Sequence, residues 1–177
     1  MIAAFDADDL RRHGFVGFIP ASTVDLGQAN IPAGSGVYVV VRGSAEPPKF
    51  LDRGGGGWWK GRDPTVTHQR LRAEWVDGAE TLYIGKADAL CSRIGLLIGF
   101  SRGKPIMHWG GRLLWQLEKC EGLLVAWKSE PYFAALESDL IDEFVDEFGR
   151  LPFANLKRGD RNVPRPPVMR ETRSEDE

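Results

Sequence analysis

Gly36–Arg42 reads GVYVVVR and Thr81–Lys86 reads TLYIGK, and these two short runs decide the fold. In the first, Val37, Val39 and Val41 point one way, and Tyr38 and Val40 the other. That period of two marks a β-strand. In the second, Leu82 and Ile84 share a side and Tyr83 takes the opposite one. Leu123–Lys128 (LLVAWK) is a third strand candidate. Gly85 closes the second strand, where the missing side chain lets a backbone or ligand approach closely.

Helical periodicity surrounds these strands. Asp88 is placed to cap a helix whose apolar side is Leu90, Ile94, Leu97 and Ile98, with Arg93 bordering that side. The amides at its start are expected to be free for a phosphate. A second helix is expected from Met107 to Cys120, with Trp109, Leu113, Leu114 and Leu117 opposite His108, Arg112, Trp115 and Lys119. A third, Pro131–Gly149, gathers Phe133, Leu140, Ile141, Phe144, Val145 and Phe148 into one stripe, leaving Asp139, Asp142, Glu143, Asp146 and Glu147 outside it. Glu137 falls inside the apolar stripe. A carboxylate there needs an ion pair, hydrogen bonds or a metal, unless packing exposes this first-turn position. An arginine is the plain partner to expect, Arg93 included.

The 177 residues suit one domain with an N-terminal extension (1–34), a central domain (35–158) and a flexible tail (159–177). Between the first two strands lies an insert, residues 43–80, carrying the glycine run 54–57, then Trp58, Trp59, Lys60 and Arg62. No Gly-Lys-Ser/Thr follows, so the run is not a phosphate-binding P-loop. A flexible link is its plain reading, and a mobile nucleic-acid-gripping loop the functional one. The stretch from Asp63-Pro64 to Trp75 is expected to be helical, with proline in the first turn.

Composition is globular, at 42% hydrophobic and 27% charged residues. No apolar run suits a membrane span, and the N-terminal stretch lacks a signal-peptide core. A cytoplasmic protein without membrane attachment is expected. Cys91 and Cys120 lack metal spacing and read as reduced, core-side residues, while His13 and His68 read as structural or exposed. The net charge of −2 argues against nonspecific coating of nucleic acid. Charge is segregated, however. Residues 86–112 hold five cations (Lys86, Arg93, Arg102, Lys104, Arg112) against Asp88, and residues 150–170 hold six (Arg150, Lys157, Arg158, Arg161, Arg165, Arg170) against Asp160. Such local basic surface is what a phosphate backbone requires.

GVY at 36–38, YIG at 83–85, Arg93 eight residues beyond that glycine, Glu137 on a later helix and Asn155 in LPFAN form an ordered set that resembles the GIY-YIG nuclease family. The resemblance spans about residues 36–155. His108 lies where several subfamilies carry a catalytic histidine, and the long insert is similar to those of restriction-type members. The resemblance implies an α+β fold with a small, mainly antiparallel three-stranded sheet flanked by helices. It implies a metal-dependent DNA endonuclease with Glu137 holding Mg²⁺ or Mn²⁺. Tyr38 would then orient and deprotonate the attacking water with His108 behind it. Arg93 would hold the phosphoryl oxygens, Tyr83 and Lys86 would support water or phosphate, and Asn155 would orient a neighbour.

Each residue also has a plainer role: the tyrosines as sheet-edge residues, His108 as a helix cap, Asn155 as a turn residue. Arg112, Trp115 and Lys119 form an expected DNA-facing stripe. With no appended DNA-reading domain, target choice falls to the insert, to a homodimer or to a separate targeting subunit. Two rivals stand beside the nuclease: a catalytically silent nucleic-acid-binding module on the same scaffold, and an interaction domain whose tryptophan-rich insert docks a protein.

Overall fold

Valine-rich Gly36–Val41 is the hinge of the architecture, because every residue in it is buried and both of its edges are paired. The computed structural model describes residues 2, 4–44, 46–106, 108–159 and 162–166. Four strands, β1 (Val16–Pro20), β2 (Gly36–Val41), β3 (Thr81–Ala87) and β4 (Leu124–Ser129), form one sheet in the order β1-β4-β2-β3. All three pairings are antiparallel. With its helices the sheet makes an α+β fold.

The expected three strands become four because the N-terminal segment supplies β1. Its sequence hides the strand: Gly17 and Phe18 both take positive φ (98° and 54°), and the register with β4 slips between Gly17 and Ile19. A bulge of this kind abolishes the period of two. Gly17 is obligatory there, since a Cβ would lie 2.4 Å from the Trp127 ring.

The split read in β2 sorts the core. Val37, Val39 and Val41 join Ile84, Ala126 and the apolar side of α4 (Phe133–Phe148), together with Phe5 and Leu10 from around α1 (Ala7–Arg12). Tyr38 and Val40 face the other way, toward α3 (Leu90–Ser101) and the insert. β3 departs from expectation: Leu82 packs with Tyr38 and Val40, and Ile84 with the opposite layer. The register jumps from Val40↔Tyr83 to Val41↔Thr81, so the unpaired Leu82 is a bulge that turns to the other face.

Helix α4 ends on Gly149 in the left-handed conformation, its amide returning to the Val145 carbonyl. Three other helices differ from the sequence reading. The insert helix α2 spans His68–Glu74, beginning after Thr67, whose Oγ1 accepts from the Arg70 amide. Asp63-Pro64 does not start it, because Asp63 instead accepts from the Thr65 amide in a local turn. Asp88 does not cap α3: the cap position is Ala89, without a side-chain bond. The expected α-helix from 107 to 120 is a kinked 3₁₀ segment, Trp109–Gln116, followed by a short turn, Cys120–Gly122. At three residues per turn its faces no longer follow the 3.6 periodicity.

The insert is ordered by packing. Gln116, buried, donates from Nε2 to the carbonyls of Leu51 and Val66 and accepts from the Val66 amide. Phe50, Trp75 and Phe153 pack ring against ring beneath it. Cys91 and Cys120 are free and partly buried. Among the described residues, no helix is long and apolar enough to cross a membrane. The start of the expected helix at Met107, the residues Asp160, Arg161 and Arg170, and the charged end of the tail (171–177) lie outside the described residues.

Candidate active site

Edge strand β3 leads straight into α3, and α4 begins beside that junction. A cleft of about 560 Å³ opens there, lined among others by Tyr83, Lys86, Ser92, Arg93, Phe133 and Glu137. Tyr38, one strand inward, is fully buried and meets the cleft through Arg93. Its Oη accepts from Arg93 Nε at 3.2 Å and lies 3.0 Å from His108 Nε2. The phenol oxygen can accept from the guanidinium and also from a protonated Nε2, so the imidazole tautomer sets which of Tyr38 and His108 donates. His108 Nδ1 is buried and has no hydrogen-bond partner. The Tyr38 and Tyr83 rings lie 5.8 Å apart, and the His108 ring is within 6.3 Å of both.

Two glycines make this cluster possible. Gly85 is the cross-strand partner of Tyr38. A Cβ on Gly85 would come within 2.7 Å of both Tyr38 Cζ and Tyr83 Cε1. A Cβ on Gly111 would sit 3.0 Å from His108 Cε1. Gly111 was missed in the sequence. Its available signal was the Gly110-Gly111 pair interrupting an otherwise amphipathic run.

Burial sets the proton affinities. It pushes the Tyr38 hydroxyl well above the usual tyrosine value, the neighbouring Tyr83 adding to the effect and Arg93 only partly opposing it. Burial, and then the Arg93 charge, pull His108 down to about 3. Burial also acts to lower Arg93, but Tyr38 and Tyr83 together outweigh it and its affinity rises. At neutral pH the closed cluster is therefore a neutral phenol, a neutral imidazole and a guanidinium.

Glu137 is buried as its helical position implies, but its partner is lysine and not arginine: Lys86 Nζ lies 2.7 Å from Oε2. The contact is an ion pair without hydrogen-bond geometry, and Oε2 has no hydrogen bond. Arg93 is committed to Tyr38 instead. Lys86, expected on water or phosphate, is in this state the counter-ion of the carboxylate.

Asn155 stays out of the cleft. Its Oδ1 accepts from the Ile84 amide (2.9 Å) and its Nδ2 donates to the Ile84 carbonyl (2.8 Å), so a side chain completes the buried outer edge of β3 as another strand would. With Ala154 N bonded to the Leu82 carbonyl, it fixes the strand that carries Tyr83, Gly85 and Lys86.

Other expectations do not converge here. Two of the α3 N-terminal amides are not free for a phosphate: those of Leu90 and Cys91 donate to the carbonyls of Gly34 and Pro32. The expected stripe dissolves because the segment is 3₁₀. Trp115 is buried, and Arg112 is half-buried over the Trp109 ring, bonded to the Trp109 carbonyl. Lys119 is exposed beyond the end of that segment.

No group of three or more His, Cys, Asp or Glu side chains gathers to hold a metal among the described residues. The donor set still fits one kind of site. Mg²⁺ is commonly bound by one or two carboxylates, with waters and substrate phosphates completing its shell. Glu137 lines a cleft large enough for those partners, and its buried Oε2, which a metal would take over from Lys86, makes no hydrogen bond. Compared with protein-family models, with curated proteins and with solved structures, the chain matches none.

Proposed function

We propose that the chain is a GIY-YIG-type endonuclease that hydrolyses phosphodiester bonds in DNA with Mg²⁺ or Mn²⁺. The observation that carries this reading is the meeting of a phenol, a guanidinium and an imidazole around one hydroxyl, beside a cleft that also holds a buried carboxylate. Hydrolysis asks for those groups: a proton path from the attacking water, a cation for the phosphoryl oxygens, and an acidic ligand.

Water attacks phosphorus as the bond to the leaving oxygen breaks, and that oxygen departs with the bonding pair and takes a proton from solvent in the cleft. Tyr38 takes the water's proton as its own passes to His108 Nε2, a relay along the existing 3.0 Å contact. His108 near 3 is too weak a base for this while the cluster is sealed. Hydration of the opened cleft, together with the phosphate's negative charge, raises it toward the working range. Arg93 reaches the phosphate from the cleft wall while its Nε keeps hold of Tyr38, and the fixed guanidinium offsets charge that develops on the phosphoryl oxygens. Mg²⁺ held by Glu137 supplies Lewis acidity. Lys86, released from Glu137, becomes a cation for a phosphate oxygen. Asn155 positions the strand and touches no reacting atom.

The rival reading, a silent nucleic-acid-binding module, draws on two observations: Tyr38 is 0% exposed, and Lys86 already neutralises Glu137. A plasmid-nicking assay with Mg²⁺ or Mn²⁺ separates the two. Wild type is expected to nick, and Arg93→Ala and Glu137→Ala to lose activity at least a hundredfold, the scale of removing one transition-state stabiliser. Full activity in both variants rejects the assignment. Metal-independent affinity for DNA without nicking supports the rival.

A further inference from the structure

The insert's glycine run is a clamp. The amides of Gly54, Gly55 and Gly57 donate to Thr65 Oγ1, the Trp115 carbonyl and the Phe100 carbonyl. A Cβ on Gly56 would lie 2.3 Å from the Phe100 ring, and one on Gly57 only 1.8 Å from the Lys104 carbonyl oxygen. These glycines press the loop onto the C-terminal end of α3, so the run is neither the flexible link nor the mobile loop expected. Beyond the clamp the chain folds into a tight hairpin. Trp59 and Arg62 exchange both backbone hydrogen bonds, and the two turn residues, Lys60 and Gly61, take positive φ (49° and 74°).

Trp58, the first residue free of the clamp, is 54% exposed and is the one exposed tryptophan among the described residues. The hairpin itself carries Lys60 and Arg62, both exposed, with Arg53 before the clamp and Lys104 exposed beside it, while Asp52 and Asp63 flank residues 53–62. The hairpin pairs an exposed indole with Lys60 and Arg62, two and four residues further on. It has the composition of a nucleic-acid platform, where a base stacks on the ring and the flanking phosphates meet the cations. The base must be unpaired, because inside a duplex both of its faces are covered.

Position links the platform to the cleft. Phe100, which the clamp grips, is seven residues beyond Arg93 on α3. Seven residues turn the helix through nearly two full revolutions, so both project from about the same face, roughly 10 Å apart along the axis. We infer that the Trp58 hairpin is a stacking platform for an unpaired base of the strand whose phosphate is held in the cleft, so that the substrate is a DNA with a single-stranded segment. This rests on the nuclease reading and narrows its substrate.

The test separates the two. In metal-free buffer with EDTA, a fluorescein-labelled oligothymidylate and a blunt duplex of equal length are titrated with wild type, Trp58→Ala and Trp58→Phe. Thermal melts check that the exposed substitutions leave the fold intact. Trp58→Ala is expected to weaken binding of the single strand about tenfold or more, with little change for the duplex, and Trp58→Phe to retain most of the affinity. Lys60→Ala/Arg62→Ala should lower the salt dependence of strand binding. Unchanged strand affinity in Trp58→Ala overturns the platform; if wild type still nicks plasmid with metal, the nuclease reading survives. Loss of strand affinity in Trp58→Ala with no cleavage under any metal keeps the platform and removes the nuclease. A wild type that binds neither oligonucleotide, including one that instead captures a protein partner, overturns the platform.

Discussion

Tyr38 and Gly85 face each other across the β2–β3 ladder, and the phenol lies over the bare Cα: a Cβ at position 85 would meet Tyr38 Cζ at 2.7 Å and Oη at 2.8 Å. The tyrosine of one strand thus dictates the glycine of the next. Gly36 is dictated in a similar way, since a Cβ there would lie 2.2 Å from the Lys128 carbonyl oxygen.

Gly85→Ala is therefore expected to destabilise by about 1–3 kcal/mol, the usual cost of overpacking, and to displace the Tyr38 hydroxyl from Arg93 and His108. Urea denaturation measures the loss. Tyr38→Phe should not rescue it, because Cζ remains, whereas Tyr38→Leu should restore part of the stability. Equal stability of Gly85→Ala and wild type would remove the steric account.

His108 gives a pH dependence with a definite sign. Its folded value near 3 lies below the unfolded 6.5, so between those values the unfolded chain binds more protons. Its contribution is fully present above pH 6.5 and is lost as pH falls toward 3. The shift corresponds to about 4–5 kcal/mol at most. Melting temperature should fall from pH 7 to pH 4, more steeply in wild type than in His108→Gln. Parallel slopes in the two proteins would show that the imidazole is not buried neutral.

Much of this arrangement was legible in the chain. The alternation of GVYVVVR correctly sorted Val37, Val39 and Val41 from Tyr38 and Val40, and the α4 wheel put Glu137 inside. What escaped was produced by local departures from regular geometry. Positive φ at Gly17 and Phe18 masked β1, the Leu82 bulge broke the β3 alternation, and the 3₁₀ winding of Trp109–Gln116 moved Trp115 into the core. Side-chain partners were the other blind spot. Sequence could show that Glu137 needed a cation, but not that Lys86 was nearer than Arg93, because that choice depends on how β3 and α4 dock. The role of Asn155 was equally hidden, since it acts on the backbone of Ile84.

That backbone contact makes Asn155 testable without any assay of activity. Asn155→Ala would leave the buried amide and carbonyl of Ile84 without partners, at about 1–3 kcal/mol for each group that water does not reach. Asn155→Asp keeps the acceptor but sets an oxygen against the Ile84 carbonyl, so it should be no milder than a loss of one bond. Hydrogen exchange at the Ile84 amide should accelerate in both. Unaltered exchange would mean that the strand edge is held by something else.

The Lys86–Glu137 pair lets a stability measurement test for metal binding. Lys86→Ala strands a mostly buried carboxylate, but the lysine side chain is 32% exposed, so the cost should fall below the 3–5 kcal/mol typical of breaking a fully buried pair, at about 1–3 kcal/mol. Glu137→Gln removes the charge that needs compensation, and adding it to Lys86→Ala should recover most of the loss. Metal provides the sharper contrast. In wild type a cation must displace the ammonium from Oε2, whereas in Lys86→Ala it meets an unneutralised carboxylate. Millimolar Mg²⁺ should therefore raise the Tm of Lys86→Ala more than that of wild type, and leave Glu137→Gln unmoved, as expected for a ligand bound only by the folded state. Were Mg²⁺ to stabilise Glu137→Gln as much as wild type, the ion would be held elsewhere, and Lys86 would be a structural counter-ion alone.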